Sequence, residues 1–314
     1  MRRIYLDNAA TSYPKPEAVY QSLDHFMREV GASAGRGAYA EARWTEQRIQ
    51  ECREAICRLI GAKCPERLIF TLNATDSLNL GIRGVVTPGD HVITSAMDHN
   101  SVLRPLNALQ ERGIITYTRI PCNEEGELDP EDVARAIRPN THLIAMVHGS
   151  NVSGSMLPIA EVGAIARAHG ITYLVDAAQT LGSYPIDLSK LPIDLLAFPG
   201  HKGLLGPLGT GGLYIREGLD LATVREGGTG SVSEKDTQPE FLPDRYESGS
   251  HNAAGIVALL EGVRYLLDRG VEDIRAEKER LVARFLSRVR EIEGVRVHGP
   301  KTAAQNAGVV SVTV

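Results

Sequence analysis

ITYLVDAAQ (171–179) and DLLAFPGHKGLLGPLGTGGLYI (194–215) decide the fold. Within them three short apolar runs, 171–175, 194–198 and 211–215, are bounded by glycine, proline and polar residues. Runs of that length without strict alternation suit strands covered on both faces. The first run closes on Asp176, and the second leads directly into His201-Lys202 and a glycine-dense turn. Outward from this centre, strand patterns (67–72, 91–96, 115–120, 142–148) alternate with helical ones. The helices are expected over 14–30, 41–60, from the cap at 73–75 to about 86, over 102–112 and over 159–169. Asp129 followed by Pro130 is a further helix start, because proline fits the first helical position after a capping aspartate. The alternation predicts an α/β fold built on a mainly parallel sheet.

Beyond residue 227 the pattern collapses into Gly, Ser, Pro and charge up to 247, which predicts a long loop. Helices follow over 252–268 and 271–292, then two strand-like runs, GVRVHG and GVVSVTV, of a smaller domain. The 314 residues are too many for one ordinary domain. They are expected to divide into a large domain, 16–264, and a small one formed by 1–15 with 265–314, its C-terminal part missing.

With 43% apolar and 23% charged residues the chain has the composition of a soluble globular protein. A net charge of −5 gives no electrostatic reason to expect nucleic acid or an acidic membrane surface. No apolar run is long enough for a membrane span, and the N-terminus lacks the apolar stretch of a secretory signal. The chain is therefore expected to stay in the cytoplasm. Cys52, Cys57, Cys64 and Cys122 form neither a C-x-x-C pair nor a zinc-ligand spacing. They are expected to be free thiols with no catalytic role, and no metal is expected.

An aspartate closing one apolar strand and a lysine just after the next is the layout of a pyridoxal phosphate site. There the carboxylate pairs the pyridinium nitrogen, and the amine holds the aldehyde as a Schiff base. Asp176 and Lys202 occupy those positions, 26 residues apart. A carboxylate at the end of so apolar a strand is costly without a cation or strong donors, although a helix cap would also explain it. Gln179, one turn on, could reach the phenolic oxygen of the same ring, as could Asn151 in HGSNVSG. Asn73-Ala74-Thr75 stands at a strand-to-helix junction, where free N–H groups and the helix dipole favour an anion. His99, after another strand, could lie on an aromatic cofactor, act as acid and base, or simply start its helix. His201 could hold the cofactor phosphate or cap its strand. The glycine run 203–212 lacks the Gly-Lys-Ser/Thr ending of a nucleotide loop, and its glycines are expected to let the backbone approach a ligand closely.

YLDNAAT, FTLNAT, MDHNS, VHGSNVSG, LVDAAQ, GHKGLLGPLGTGGLY and YESGSHN occur in this order over nearly the whole chain. Together they resemble the class V aminotransferase group of pyridoxal phosphate enzymes, most closely its cysteine desulfurase and selenocysteine lyase branch. The resemblance implies fold-type I, with a mixed, mainly parallel seven-stranded sheet, a small domain and a homodimer. It implies Lys202 as the Schiff-base and catalytic lysine, with His99 stacked on the ring and sharing in catalysis. Asp176 would be the pyridinium partner, Gln179 and Asn151 contacts of the phenolic oxygen, and Ala74, Thr75 and His201 contacts of the phosphate. Ser250 would be a phosphate contact lent by the partner subunit, and Arg36, with Gly37, would lie near the substrate entrance.

The implied reaction removes sulfur from L-cysteine, giving alanine and an enzyme persulfide, with a protein as a possible sulfur acceptor. Two departures stand against the family pattern. Pro199 replaces a serine found in many members. The sulfur-accepting cysteine and the carboxylate-binding arginine belong to a C-terminal region beyond Val314. The alternatives left open are another class V reaction on a different amino acid, an aminotransferase, epimerase or lyase, or a truncated binding protein without turnover.

Overall fold

The computed structural model of the chain describes residues 4–35 and 37–314. Its main sheet has seven strands: β1 (Leu68–Thr71), β2 (His91–Ser95), β3 (Thr116–Ile120), β4 (Thr141–Val147), β5 (Thr172–Asp176), β6 (Leu195–Pro199) and β7 (Gly211–Ile215). Their order is β1-β7-β6-β5-β4-β2-β3, and β7 alone runs against its neighbours. The expected mixed, mainly parallel sheet is thus present. Six strands point their C-terminal ends at one edge, the edge at which ligands bind in open α/β sheets.

The helices are α1 (Glu17–His25), α2 (Ala40–Leu59), α3 (Ala74–Val85), α4 (Asn100–Glu111), α5 (Pro130–Ala136), α6 (Ile159–Ala168), α7 (Ala253–Arg269) and α8 (Val271–Val289). The predicted helix over 14–30 forms as α1 continued by a wider π turn, Phe26–Val30, which Gly31 ends at φ +58°. The side chain of Asp129 accepts from the Glu131 N–H at 2.9 Å, so the predicted cap of α5 is made. After α8, β8 (Arg296–His298) and β9 (Ser311–Thr313) pair antiparallel as a separate small sheet.

Successive strand residues face opposite sides, and both sides are buried. Tyr173, Val175, Leu196 and Phe198 enter one core with Ile56 of α2, Val162 of α6 and Leu259 of α7. Leu174, Leu195 and Ala197 enter the other with Leu78 of α3 and Leu106 of α4. This double coverage is why the strands read as unbroken apolar runs. Edge strand β3 is partly exposed and correspondingly mixed, TYTRI.

The glycine run packs against protein. A Cβ on Gly212 would stand 2.5 Å from the Phe198 ring, one on Gly211 2.8 Å from the Asn73 backbone, and one on Gly206 2.5 Å from Leu259. The expectation of close ligand approach is therefore corrected at these positions. Their missing side chains let β6 and β7, the start of α3 and α7 come together.

The predicted loop 227–247 has no regular element and is tied by Gln238. That side chain accepts from the Gly227 N–H and donates to the carbonyls of Asp244 and Arg245. At its end Glu247 is buried, with Arg53 of α2 donating to both its oxygens at 2.8 and 3.0 Å. The Phe70 N–H of β1 donates to the same carboxylate at 2.6 Å. Burial works to raise the Glu247 carboxyl, but Arg53 and His251 outweigh it and hold it below its ordinary value. Removing one partner strands a buried charge, so Glu247→Ala is expected to cost about 3–5 kcal/mol of unfolding free energy in urea titration. An Arg53→Met/Glu247→Leu double replacement is expected to recover most of that loss.

Candidate functional site

At the C-terminal edge of the sheet the ends of β1, β2, β4, β5 and β6 surround a cavity of about 110 Å³. Its lining brings together Ala74, Thr75, His99, Asn151, Asp176, Gln179, His201 and Lys202, all of them residues proposed from the sequence. A larger cavity of about 580 Å³ adjoins it and shares Gln179 and Lys202 as common wall. The larger one is lined by the N-terminal segment, α7, α8 and residues 307–309.

Asp176 is 2% exposed. Its Oδ1 accepts from the Ala178 N–H at 2.9 Å, and its other oxygen has no hydrogen bond among the described residues. Burial pushes its carboxyl up, while that N–H and the charges of Lys202 and His99 pull the other way. The cap alternative is thus half true: Asp176 does hold the following turn, with one oxygen to spare. Lys202 enters from the loop after β6. Burial lowers its pKa and Asp176 works against this, so more of its amine is neutral than in an exposed lysine.

Opposite stands the N-terminus of α3. Asn73 caps it by accepting from the Asp76 N–H at 3.0 Å. Ala74 and Thr75 lie in the first turn, where N–H groups have no intrahelical partner. Thr75 Oγ1, Ser101 Oγ and His99 Nδ1 form a chain at 2.7 and 2.9 Å. His99 Nδ1 also accepts from the Ser101 N–H at 3.1 Å, so His99 caps α4 and carries its proton on Nε2. Of the roles considered for it, the helix start is the one seen here.

His201 Nδ1 is buried with no hydrogen-bond partner. Burial, then Lys202 and Lys15, take its pKa down to about 4, so the ring is neutral at pH 7. Gln179 donates one amide hydrogen to the Ala9 carbonyl at 3.0 Å. Pro199 lines the small cavity and offers no hydroxyl.

One predicted residue stands elsewhere. Ser250 is exposed and lines a separate cavity with Arg225 and His251. Arg36 lies outside the described residues, so the expectation for it has no structural counterpart. None of the four cysteines lines either cavity at Lys202. Burial raises all four thiols, Cys57 to about 12, which keeps them protonated and poorly nucleophilic.

Sequence reasoning missed Asp98. This carboxylate is 7% exposed, and its Oδ2 accepts from Thr94 Oγ1, the Ser95 N–H and Ser95 Oγ at 2.9, 2.7 and 2.6 Å. Its Oδ1 accepts from the Val147 N–H at 2.7 Å. It therefore locks the turn carrying His99 to the end of β4. Its signal was weaker than that of Asp176: it follows a fully buried strand, HVITS, whose His, Thr and Ser hide that burial in the sequence. Sequence reasoning also missed Lys15, a lysine between two prolines whose partner is a backbone carbonyl.

The groups around the small cavity that have no hydrogen-bond partner among the described residues form a set: an aspartate oxygen, a lysine amine, a buried imidazole nitrogen and the first N–H groups of a helix. They fit a small molecule with a cationic N–H, a carbonyl and an anionic group, so fold and site define an α/β enzyme of the lysine–aspartate cofactor type. Over residues 4–314 the chain matches the family described as aminotransferase class V, and it belongs to that family. A "Probable cysteine desulfurase" of Pyrococcus abyssi is 34% identical, aligned over 99% of this chain and 78% of the relative. "Cysteine desulfurase IscS" of Dictyoglomus turgidum is 34% identical over 96% of this chain and 73% of its own. The apo structure of a cysteine desulfurase from Thermococcus onnurineus NA1 superposes with a TM-score of 0.93 at 34% identity, covering 99% of this chain and 78% of that one. A structure entitled "SspA in complex with cysteine" has a TM-score of 0.75 at 30% identity, covering 84% of this chain and 73% of its own.

Proposed function

We propose that the chain is a pyridoxal phosphate enzyme that takes L-cysteine to alanine and passes the sulfur to a thiol. The observation that carries this reading is the meeting of Lys202 and Asp176 in one cavity, with the lysine amine and one aspartate oxygen left without a hydrogen-bond partner among the described residues. The cysteine desulfurase relatives and the neighbour in complex with cysteine support the choice of substrate.

Pyridoxal phosphate, when bound, supplies an aldehyde and a protonated pyridine ring that accepts electrons from the substrate's Cα. Lys202 would hold the aldehyde, and the free oxygen of Asp176 would meet the ring N–H and keep it protonated. The first turn of α3 with Thr75 and His201 would receive the phosphate. Asn151 and Gln179, which has an amide hydrogen to spare, would donate to the phenolic oxygen, and His99 would lie against the ring. With substrate present, the Lys202 amine takes the Cα proton, for which its lowered pKa suits it. His99, which lines the cavity and has Nδ1 engaged in its helix cap, would donate a proton from Nε2. A thiolate attacking the substrate sulfur would form the persulfide S–S bond as the Cβ–S bond breaks, and one proton delivered to Cβ and one returned to Cα would complete alanine. A homodimer, with Ser250 completing a partner's phosphate site, belongs to the same reading, as do a protein sulfur acceptor and a cytoplasmic location.

One observation favours a second reading, an amino acid other than cysteine: no cysteine lines either cavity. The test is alanine formation from L-cysteine by the loaded protein with a dithiol as acceptor. Alanine and sulfide in equal amounts support desulfuration. Keto acid, or no product with alanine formed from another amino acid, supports the second reading.

A further inference from the structure

The backbone carbonyl of His201, which precedes Lys202, is held by a segment almost two hundred residues away. The Ser12 N–H, the Thr11 and Ser12 hydroxyls and the Lys15 ammonium all donate to this one oxygen, at 3.2, 3.0, 3.1 and 3.2 Å. A carbonyl oxygen has two lone pairs, so four donors exceed what satisfying it requires. Lys15 also donates to the Ser12 carbonyl and hydroxyl at 3.1 and 2.9 Å. No carboxylate lies within ion-pair distance of it among the described residues. An ammonium drawn from water without a counter-ion costs free energy; burial takes its pKa down to about 8. A hydrocarbon chain of the same length would avoid that cost.

The peptide so held is the one whose plane places the Lys202 N and Cα, from which its side chain leaves the backbone. The far side of the same loop is fixed as well. A Cβ on Gly203 would stand 2.2 Å from the Leu181 carbonyl oxygen, and one on Gly182 2.4 Å from the Gly203 carbonyl oxygen. The loop is thus gripped on one side by residues 11–15 and pressed on the other against the turn that follows Asp176. Gln179 ties that turn in its own right to the Ala9 carbonyl.

We propose that Lys15 is a positioning residue for Lys202: with Thr11 and Ser12 it clamps the His201–Lys202 peptide and so sets where the reactive amine stands in the cavity. This rests on the reading of Lys202 as the residue that carries the cofactor. The test compares Lys15→Met with Lys15→Arg and with a Thr11→Val/Ser12→Ala protein, which keeps the charge and loses both hydroxyl donors. In the loaded enzyme Lys15→Met is expected to lower kcat by about tenfold to a hundredfold, as a misplaced reacting group does, with KM within about twofold. Lys15→Arg is expected to restore most of kcat, and the hydroxyl-free protein to lose several-fold with the lysine intact.

A second readout needs no cofactor: the rate at which an amine reagent labels Lys202 in the unloaded protein, followed by peptide mass spectrometry. It is expected to change at least about threefold in Lys15→Met and to return in Lys15→Arg. Parental kcat and labelling in Lys15→Met would overturn the proposal, as would a fall in kcat that arginine does not relieve. If the parent protein takes up no pyridoxal phosphate, the cofactor reading fails, while the labelling rates still decide the clamp.

Discussion

Lys202→Ala is expected to abolish turnover of L-cysteine by at least about a thousandfold, since one residue supplies both the covalent attachment and the Cα base. The parent protein, loaded with pyridoxal phosphate and treated with borohydride, should carry a phosphopyridoxyl mass on the peptide containing Lys202. The variant should carry none there. The pH dependence of uptake follows from burial, which lowers the Lys202 pKa. The neutral amine is the attacking form, so uptake should rise with pH and level off at a lower pH than for an exposed lysine. A variant that still formed a reducible adduct elsewhere in the cavity would remove Lys202 from the mechanism.

Asp176→Asn should be nearly as damaging for a different reason. The replacement preserves shape and the hydrogen bond from the Ala178 N–H but removes the charge that favours a protonated ring. Loss of such a buried electrostatic partner costs about a hundredfold to a thousandfold in kcat. The cofactor should still bind through Lys202, so borohydride trapping should continue while alanine formation collapses. Equal loss of trapping and turnover would assign Asp176 to holding the site together instead. The two variants thus separate attachment from electron withdrawal.

Much of this site was legible because polar residues stand where apolar strands end. Asp176, Lys202, His99 and Asn151 each follow such a run, and parallel strands deliver their C-terminal ends to one edge, so linear positions become neighbours. Asp98 was harder to reach, because the strand before it, HVITS, is buried but mostly polar in sequence. The centre of the sheet was legible because both its faces are covered, so its inner strands carry no alternation that could be confused with an exposed surface. Ser250 is a different case, since its expected site belongs to a partner subunit, and within this chain it lines another cavity.

The role of the glycines was misread because glycine has no side chain to show its purpose. The same backbone permits a ligand or a neighbouring strand to approach, and only the contacts distinguish them. The clamp on His201 left no trace for a related reason. Its acceptor is a main-chain oxygen, present at every position of every sequence, so neither Thr11 nor Lys15 could announce its partner. Buried charge pairs such as Arg53–Glu247 are equally silent, each partner reading alone as an ordinary surface residue.

The contact of Gly182 with Gly203 has a bearing on how such a catalyst can change. Two backbones that touch without side chains between them leave no slack, so the turns bearing Gln179 and Lys202 shift together or not at all. Replacing either glycine would displace the amine rather than adjust it. The wall of the larger cavity contributed by Tyr265, Arg269, Glu277 and Leu281 obeys no such constraint, being made of side chains on helix surfaces. Selection for a new amino acid therefore has a free variable and a fixed one: the outer wall can be rewritten residue by residue, while the reactive pair is inherited as a unit.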